Sequence, residues 1–153
     1  IYPRAVLEKL LQDFAVLQQH TSFTVNSSLD IPAETAIRAE QTVFINMLLN
    51  ILDNAVKYKK EKEGLSLQVA AAIYKNHLRV KIADNGMGMK KEQLKNIFDK
   101  FYRIPAGDVH NIKGMGLGLY FVKKNMDALK GKVFVESQPG KGSTFVLEFP
   151  LAS

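Results

Sequence analysis

The chain is organised around Asn50-Ile51-Leu52-Asp53-Asn54-Ala55-Val56-Lys57-Tyr58, which lies within a helical pattern over about residues 41–59. Successive residues of a helix are about 100° apart, so Asn50 and Asn54 lie about 40° apart and Lys57 about 20° to the other side of Asn50. An amide oxygen can ligate a hard cation such as Mg²⁺, and an ammonium group suits an anionic phosphate. This polar face therefore predicts a metal and phosphate site, although a solvated helix edge would give the same pattern.

The composition is that of a globular domain with a sizeable core. The chain has 153 residues, and its 46% hydrophobic and 24% charged residues are ordinary for a soluble protein. It contains no apolar run long enough to span a bilayer, and no signal-peptide pattern opens it. Because it has no cysteine, a disulfide framework and a thiolate metal site are excluded. Since it begins with Ile1 and not Met, we expect a single domain, residues 1–153, from a longer protein.

The net charge of +6 permits a nucleic acid, an acidic surface or a phosphorylated ligand as partner. No arginine-rich tract or recognised nucleic-acid motif accompanies this charge. We therefore expect no nucleic-acid partner, and solvated lysines explain much of the excess.

Apolar spacing predicts the remaining elements. Before the organising helix we expect a helix over residues 5–19, a strand at Phe23 and Val25, a turn over residues 26–32 and a possible short strand over residues 35–39. After it we expect strands over residues 65–74 and 77–83, a helix over 91–101, a loop over 102–113, a helix over about 119–129, and a hairpin of residues 132–137 and 143–149. This order predicts a two-layer α/β sandwich with helices on one face of the sheet.

Asp84 stands at the end of a predicted strand and is followed by Gly86 and Gly88. A carboxylate in this place can accept a hydrogen bond from an exocyclic amine, and the glycines let the backbone approach a flat ring. Since Asp-Asn-Gly is also strong turn chemistry, a plain turn is the alternative.

A second group of glycines, Gly114, Gly116 and Gly118, alternates just before a predicted helix, and Lys113 adds a cation beside it. The free N–H groups of a helix N-terminus can bind phosphate. The pattern is not a Walker A loop, because no Lys-Ser/Thr pair follows in the required place. The alternative is a flexible linker before a helix.

Two aromatic residues, Phe98 and Phe101, are spaced to share one face of the predicted helix, with Arg103 just beyond. They would anchor the loop that follows, and Arg103 could reach a terminal phosphate. Core packing and a solvated arginine are the alternatives.

Together and in this order, these groups closely resemble the catalytic and ATP-binding domain of sensor histidine kinases. They are similar to its asparagine box, first glycine box, phenylalanine box and second glycine box. The terminal hairpin of that family resembles Gly131-Lys132-Val133-Phe134-Val135-Glu136-Ser137 and Gly140-Lys141-Gly142-Ser143-Thr144-Phe145. The resemblance covers essentially the whole chain and implies a Bergerat-type ATP-binding fold, with a mixed, largely antiparallel sheet. The wider GHKL superfamily also contains gyrase-type, mismatch-repair and chaperone ATPases.

The resemblance implies ATP and Mg²⁺ as cofactors, with Asn54 as the metal ligand and Asp84 on the adenine amino group. It implies an ATP lid over about residues 90–113. With the analysis of the residues above, the expected catalytic residues are Asn50, Asn54, Lys57 and Arg103. The expected nucleotide-binding residues are Asn50, Asn54, Lys57, Tyr58, Asp84, Gly86, Gly88, Phe98, Phe101, Lys113, Gly114, Met115, Gly116, Leu117, Gly118, Ser143 and Thr144.

Two departures from the patterns of these families refine the expected function. Hydrolysing members of the superfamily place a Glu at the position of Asn50 as general base, and an asparagine cannot take a proton usefully near neutral pH. This disfavours hydrolysis and favours transfer to a nucleophile supplied elsewhere. The phosphoacceptor histidine is not recognisable. His20 is followed by Thr21 and not by the acidic residue usual in that family's histidine box, while His77 lies on a predicted strand and His110 in the predicted lid.

The sequence therefore predicts a histidine kinase domain that transfers the γ-phosphoryl group of Mg-ATP to a histidine on a separate dimerisation domain. A response regulator is the further partner that the resemblance implies. It also implies a cytoplasmic domain without membrane contact, in a parent protein anchored in the inner membrane. The alternatives are a hydrolysing ATPase of the same superfamily and a nucleotide-binding sensor module without transfer activity.

Overall fold

Nine helices and strands make up the part of the chain that the computed structural model describes, residues 1–18, 22–102 and 117–152. In chain order they are α1 (Pro3–Leu17), β1 (Phe23–Asp30), α2 (Gln41–Lys57), β2 (Leu65–Tyr74), β3 (His77–Asp84), α3 (Lys91–Leu94), α4 (Gly118–Ala128), β4 (Lys132–Gln138) and β5 (Gly142–Pro150). None of the described helices is both long and apolar enough to cross a membrane.

The five strands form one mixed sheet in the order β1-β2-β3-β5-β4. The β1–β2 pair is parallel and the other three pairs are antiparallel. A parallel pair needs a long crossover, and α2 lies in the connection between β1 and β2. At one end of the central strand β3, Ala83 pairs with Thr144, and at the other His77 pairs with Pro150.

The helices α1, α2 and α4 share a single hydrophobic core with the inner face of the sheet. On β3 the inner residues Leu78, Val80 and Ile82 are buried and alternate with residues of the outer face. The ring of Phe44 on α2 packs against that of Phe149 on β5, with centroids 5.2 Å apart. The predicted two-layer α/β sandwich is confirmed, because one face of the sheet carries the helices.

Both ends of the chain bond to the segment that leads into α2. Ile1 and Ile37 exchange two hydrogen bonds, each from the nitrogen of one residue to the carbonyl oxygen of the other, at 2.9 and 3.0 Å. Ile37 also forms an antiparallel bridge with Leu151, and Ala152 N donates to Ala36 O at 2.9 Å. These contacts lie at the Pro150 end of the sheet.

Three predicted elements are wrong in extent. The turn expected over residues 26–32 begins too early, because β1 continues to Asp30 along β2. The possible strand over residues 35–39 reduces to the single Ile37 bridge. The helix expected over residues 91–101 ends as α3 at Leu94 and is followed by turns. The other boundaries differ by one or two residues, which is the usual uncertainty of a helix end.

Candidate nucleotide site

The carboxylate of Asp84 lies where the end of β3 meets the start of β5. Its Oδ1 accepts hydrogen bonds from Gly86 N at 2.8 Å and from Ser143 N at 3.2 Å. Burial raises the pKa of Asp84, and these two hydrogen bonds oppose that rise. Because both bonds go to Oδ1, the group is oriented by the backbone and retains acceptor capacity at Oδ2.

The turn after Asp84 is fixed from two sides by backbone contacts. Met87 N donates to Tyr58 O at 2.9 Å, which joins the turn to the end of α2. Gly140 N donates to Met87 O at 2.7 Å, which joins it to the β4–β5 turn. A Cβ on Gly86 would lie 2.6 Å from Tyr58 O, and one on Gly88 would lie 2.0 Å from Gln138 O. The first predicted glycine group is therefore the place where three segments meet.

Gly142 makes the closest approach to the Asp84 backbone. Its φ of +86° is one that side chains with a Cβ rarely adopt, and an added Cβ would lie 1.9 Å from Asp84 O. The neighbouring Ser143 is 8% exposed, and Thr144 is partly buried. This glycine allows β5 to place Ser143 N against the Asp84 carboxylate.

The polar face of α2 carries Asn50, Asn54 and Lys57 on one continuous helix. Asn50 and Asn54 are partly exposed and Lys57 is exposed. Asn50 Nδ2 donates to Asn46 O at 2.9 Å, so its amide nitrogen is engaged and its Oδ1 is directed elsewhere. A Cβ on Gly118 would lie 2.8 Å from Asn50 Oδ1, so the start of α4 packs on this asparagine. Leu117, just before α4, is 37% exposed.

The donor set of the described residues could hold a magnesium ion whose other ligands are phosphate and water oxygens. No cluster of three His, Cys, Asp or Glu residues capable of holding a metal occurs in the described part of the chain. Asn54 offers an amide oxygen, and Mg²⁺ is typically bound by one or two protein oxygens together with substrate phosphates and water. Beside Asn54, partial burial raises the pKa of Asp53 and the charge of Lys57 lowers it.

The predicted aromatic pair does not share a helical face, because α3 ends before it. Phe98 is partly buried and packs against the core. Phe101 is 57% exposed, has a φ of +65° and lies with its ring 5.2 Å from Lys100 Nζ. The residues Arg103, Lys113, Gly114, Met115 and Gly116 lie outside the described residues, as do His20, His110 and most of the predicted loop.

Two residues that the sequence analysis did not single out hold this region together. Asn85 Oδ1 accepts from Ser66 N at 2.8 Å, and its amide donates to Gly64 O at 3.3 Å, so it ties the turn to β2. Ser137 on β4 contacts Met89, Gly142 and Ser143 through its hydroxyl. The Asp-Asn-Gly pattern contains Asn85 but assigned it no contact, and Ser137 was quoted only as the last residue of a hairpin strand.

Comparison with known proteins identifies the family of this chain. The family model described as histidine kinase-, DNA gyrase B- and HSP90-like ATPase matches residues 39–153. The chain belongs to this family, and within it to the catalytic domains of sensor histidine kinases.

Relatives of the chain include bacterial sensor proteins. Sensor protein RprX of Bacteroides fragilis (strain YCH46) is 39% identical over 142 residues, which cover 93% of this chain and 27% of RprX. This chain thus spans about a quarter of that relative.

Two solved structures share the fold. The mycobacterial sensor histidine kinase MprB aligns with a TM-score of 0.79 at 21% identity, over 99% of this chain and 95% of that one. Full-length ShkA in complex with AMPPNP aligns with a TM-score of 0.82 at 24% identity, over 100% of this chain and 31% of that one.

Proposed function

We propose that this domain binds Mg-ATP and transfers its γ-phosphoryl group to a histidine on a separate dimerisation domain of a two-component sensor kinase. The observation that carries the proposal is the Asp84 carboxylate, partly withdrawn from water and oriented by Gly86 N and Ser143 N. An ionised carboxylate only accepts hydrogen bonds, which suits the amino group of adenine. Membership of the family and the AMPPNP bound to ShkA support a nucleotide ligand.

The phosphate end of the nucleotide would lie along α2 and the start of α4. Asn54 would hold Mg²⁺ through its amide oxygen, and Lys57 would neutralise phosphate charge. Asn50 would share this face, Tyr58 would border the nucleotide, and Leu117 and Gly118 would lie beside it. Arg103, Lys113, Gly114, Met115 and Gly116 complete the proposed phosphate contacts. ATP supplies the phosphoryl group, and positioning and charge neutralisation are what these residues contribute.

Transfer needs a nucleophile that we expect on another domain. Asn50 cannot act as a base for water near neutral pH, so the isolated chain should release phosphate slowly. We propose a histidine-bearing dimerisation domain and a response regulator as partners, without nucleic acid or direct membrane contact. In this proposal the domain is cytoplasmic and its parent is anchored in the inner membrane.

The proposal is tested by calorimetry of ATP binding with and without Mg²⁺. Asn54→Ala should weaken Mg-dependent binding much more than metal-free binding, because it removes a metal ligand and leaves the adenine contacts. Equal losses in both conditions would defeat the ligand assignment, and a wild type that binds no ATP would defeat the proposed function. Glu148→Gln, a change near the Pro150 end of β5, is the control for a general loss of stability.

Phosphate release decides between the proposed transfer and the hydrolysing alternative. With Mg-ATP and the domain alone, turnover far below the enzyme median of about 10 s⁻¹ is expected. Adding a histidine-bearing dimerisation domain from a sensor kinase should give acid-labile phosphohistidine. Sustained turnover without it would favour an ATPase, and binding without transfer would favour a sensor module.

A further inference from the structure

The hydroxyl of Ser137 is the meeting point of three segments around Asp84. Met89 N donates to Ser137 Oγ at 2.8 Å, at the end of the turn that follows Asp84. Ser137 Oγ donates to Gly142 O at 2.9 Å and lies 2.8 Å from Ser143 Oγ. One side chain on β4 therefore links that turn to the first two residues of β5.

Counting protons assigns a direction to the contact between the two serines. A hydroxyl has one proton to donate and two lone pairs that accept. When Ser137 gives its proton to Gly142 O, its lone pairs are filled by Met89 N–H and by the hydroxyl proton of Ser143. This is the arrangement that satisfies all three contacts of Ser137, and it commits the only side-chain proton of Ser143.

The consequence concerns the chemistry that this region offers to a ligand. With its proton committed to Ser137, the Ser143 hydroxyl retains only acceptor capacity. Its backbone N–H is also engaged, on Asp84 Oδ1. Ser143 and the ionised Asp84 then both present acceptors, which match an exocyclic amino group and oppose a carbonyl oxygen in the same place.

We propose that Ser137 is a positioning residue that sets purine selectivity, by holding the Ser143 hydroxyl as an acceptor beside Asp84. The proposal rests on the proposed function, since it concerns the base of the bound nucleotide. Ser137 acts through Ser143 and needs no contact with the nucleotide. Without the Ser137 hydroxyl, the Ser143 proton is released and can turn towards a guanine carbonyl.

The test is competitive displacement of a fluorescent ATP analogue by ATP and by GTP, with Mg²⁺ present. Ser137→Ala should lower the ratio of ATP to GTP affinity by about three- to tenfold, as expected for one redirected hydrogen bond. Ser137→Thr keeps the hydroxyl and should restore the ratio. Glu148→Gln, which disturbs the Arg79 ion pair elsewhere on β5, should leave it unchanged even where stability falls.

A purely structural role for Ser137 would lower stability without moving this ratio. Circular dichroism and urea unfolding establish that each variant is folded before the ratio is compared. Should Ser137→Ala fail to fold, Ser137→Cys keeps the size with a much weaker donor and acceptor, and it should also lower the ratio.

An unchanged ratio in the folded alanine or cysteine variant would overturn the proposal for Ser137 and leave the proposed function standing. A wild type that binds neither nucleotide would overturn both.

Discussion

Asp84 is held by its neighbours in a way that separates two of its properties. Its orientation comes from hydrogen bonds that the backbone N–H groups of Gly86 and Ser143 donate to Oδ1. An amide oxygen at position 84 could still accept both bonds, whereas it could not replace a carboxylate in an ion pair. Its pKa is raised by burial, and the two hydrogen bonds oppose that rise. The two properties can therefore be tested separately.

Replacing the carboxylate by an amide tests what Asp84 recognises. Asp84→Asn keeps the shape and supplies a donor, so we expect weaker ATP binding and a smaller preference for ATP over GTP. A mismatched buried polar contact costs about 1–3 kcal/mol, so the wild type should prefer ATP by roughly tenfold or more. Competitive displacement on both proteins measures this. If the variant discriminates as well as the wild type, Asp84 does not contact the base.

Acid should have opposite effects on stability and on ATP binding through Asp84. The folded-state pKa of Asp84 is raised above its ordinary value of 3.8, so between the two values the folded state binds a proton that the unfolded state lacks. The contribution of Asp84 to stability is therefore greatest below 3.8 and is lost as the pH rises through the raised pKa. If Asp84 accepts from adenine as proposed, ATP binding requires the ionised form and should weaken as the pH falls through that same pKa.

Urea unfolding and ATP titrations over an acidic pH series test this, with Asp84→Asn as the matched variant. The difference between the two proteins isolates Asp84 from Asp53, whose pKa is also raised. Parallel trends in stability and affinity in this difference would contradict the expectation.

At the scale of elements, the site depends on how tightly the β4–β5 hairpin packs on the turn after Asp84. The two glycines of this hairpin differ in one respect. Gly140 and Gly142 both have positive φ, of +80° and +86°, but Gly140 has nothing within 4 Å of an added Cβ while Gly142 faces Asp84 O. They form a matched pair for separating backbone strain from crowding.

Alanine at these two positions should have unequal costs. Gly140→Ala should destabilise the domain by about 1–2 kcal/mol, the cost of a left-handed residue with a Cβ. Gly142→Ala bears the same strain and must also push the Asp84 backbone away, so it should cost clearly more and weaken ATP binding. Urea unfolding and ATP titration of both variants measure this. Equal losses would mean that the hairpin moves freely away from Asp84.

Local sequence predicted two elements poorly. The polar residues Asn26, Ser27 and Ser28 predicted a turn, but they lie on an edge strand whose pairing with β2 overrides their preference. The spacing of Phe98 and Phe101 predicted a helical face, but only Phe98 packs against the core. By contrast, α2 was predicted almost to the residue, because its apolar stripe is long and regular.

At the scale of the whole molecule, the layers were predictable and the strand order was not. Alternation on β3 and the amphipathic helices required a sheet with one covered face. No local pattern shows that β1 runs parallel to β2 or that β5 lies between β3 and β4. For the same reason the sequence pointed to Asp84 and Ser143 separately, while the Ser137 contact depends on the register of β4 with β5.

The meeting of both chain ends at Ile37 predicts that the domain tolerates circular permutation. Ile1 is hydrogen-bonded to Ile37, and Leu151 forms an antiparallel bridge with Ile37, so the two residues lie about two strand spacings, or about 10 Å, apart. A short Gly-Ser linker between them, with new ends at the exposed Lys75-Asn76 turn, should give a folded protein with unchanged ATP affinity. Circular dichroism and calorimetry would check this.

A permutant opened at Gly140 is the matched comparison. This permutant has its chain ends in the β4–β5 turn, where Gly140 N donates to Met87 O. It should lose ATP affinity even if it folds. If both permutants bind ATP equally well, the β4–β5 turn does not organise the site.

The same arrangement at Ile37 has a mechanical consequence. A force applied to either end of this chain would load the hydrogen bonds of Ala36 and Ile37 first. Asp84 lies seven residues along β3 from the strand end beside them, roughly 23 Å at the usual rise per residue. The hydrogen bonds at the Pro150 end of the sheet would therefore break before the force disturbed the groups around Asp84.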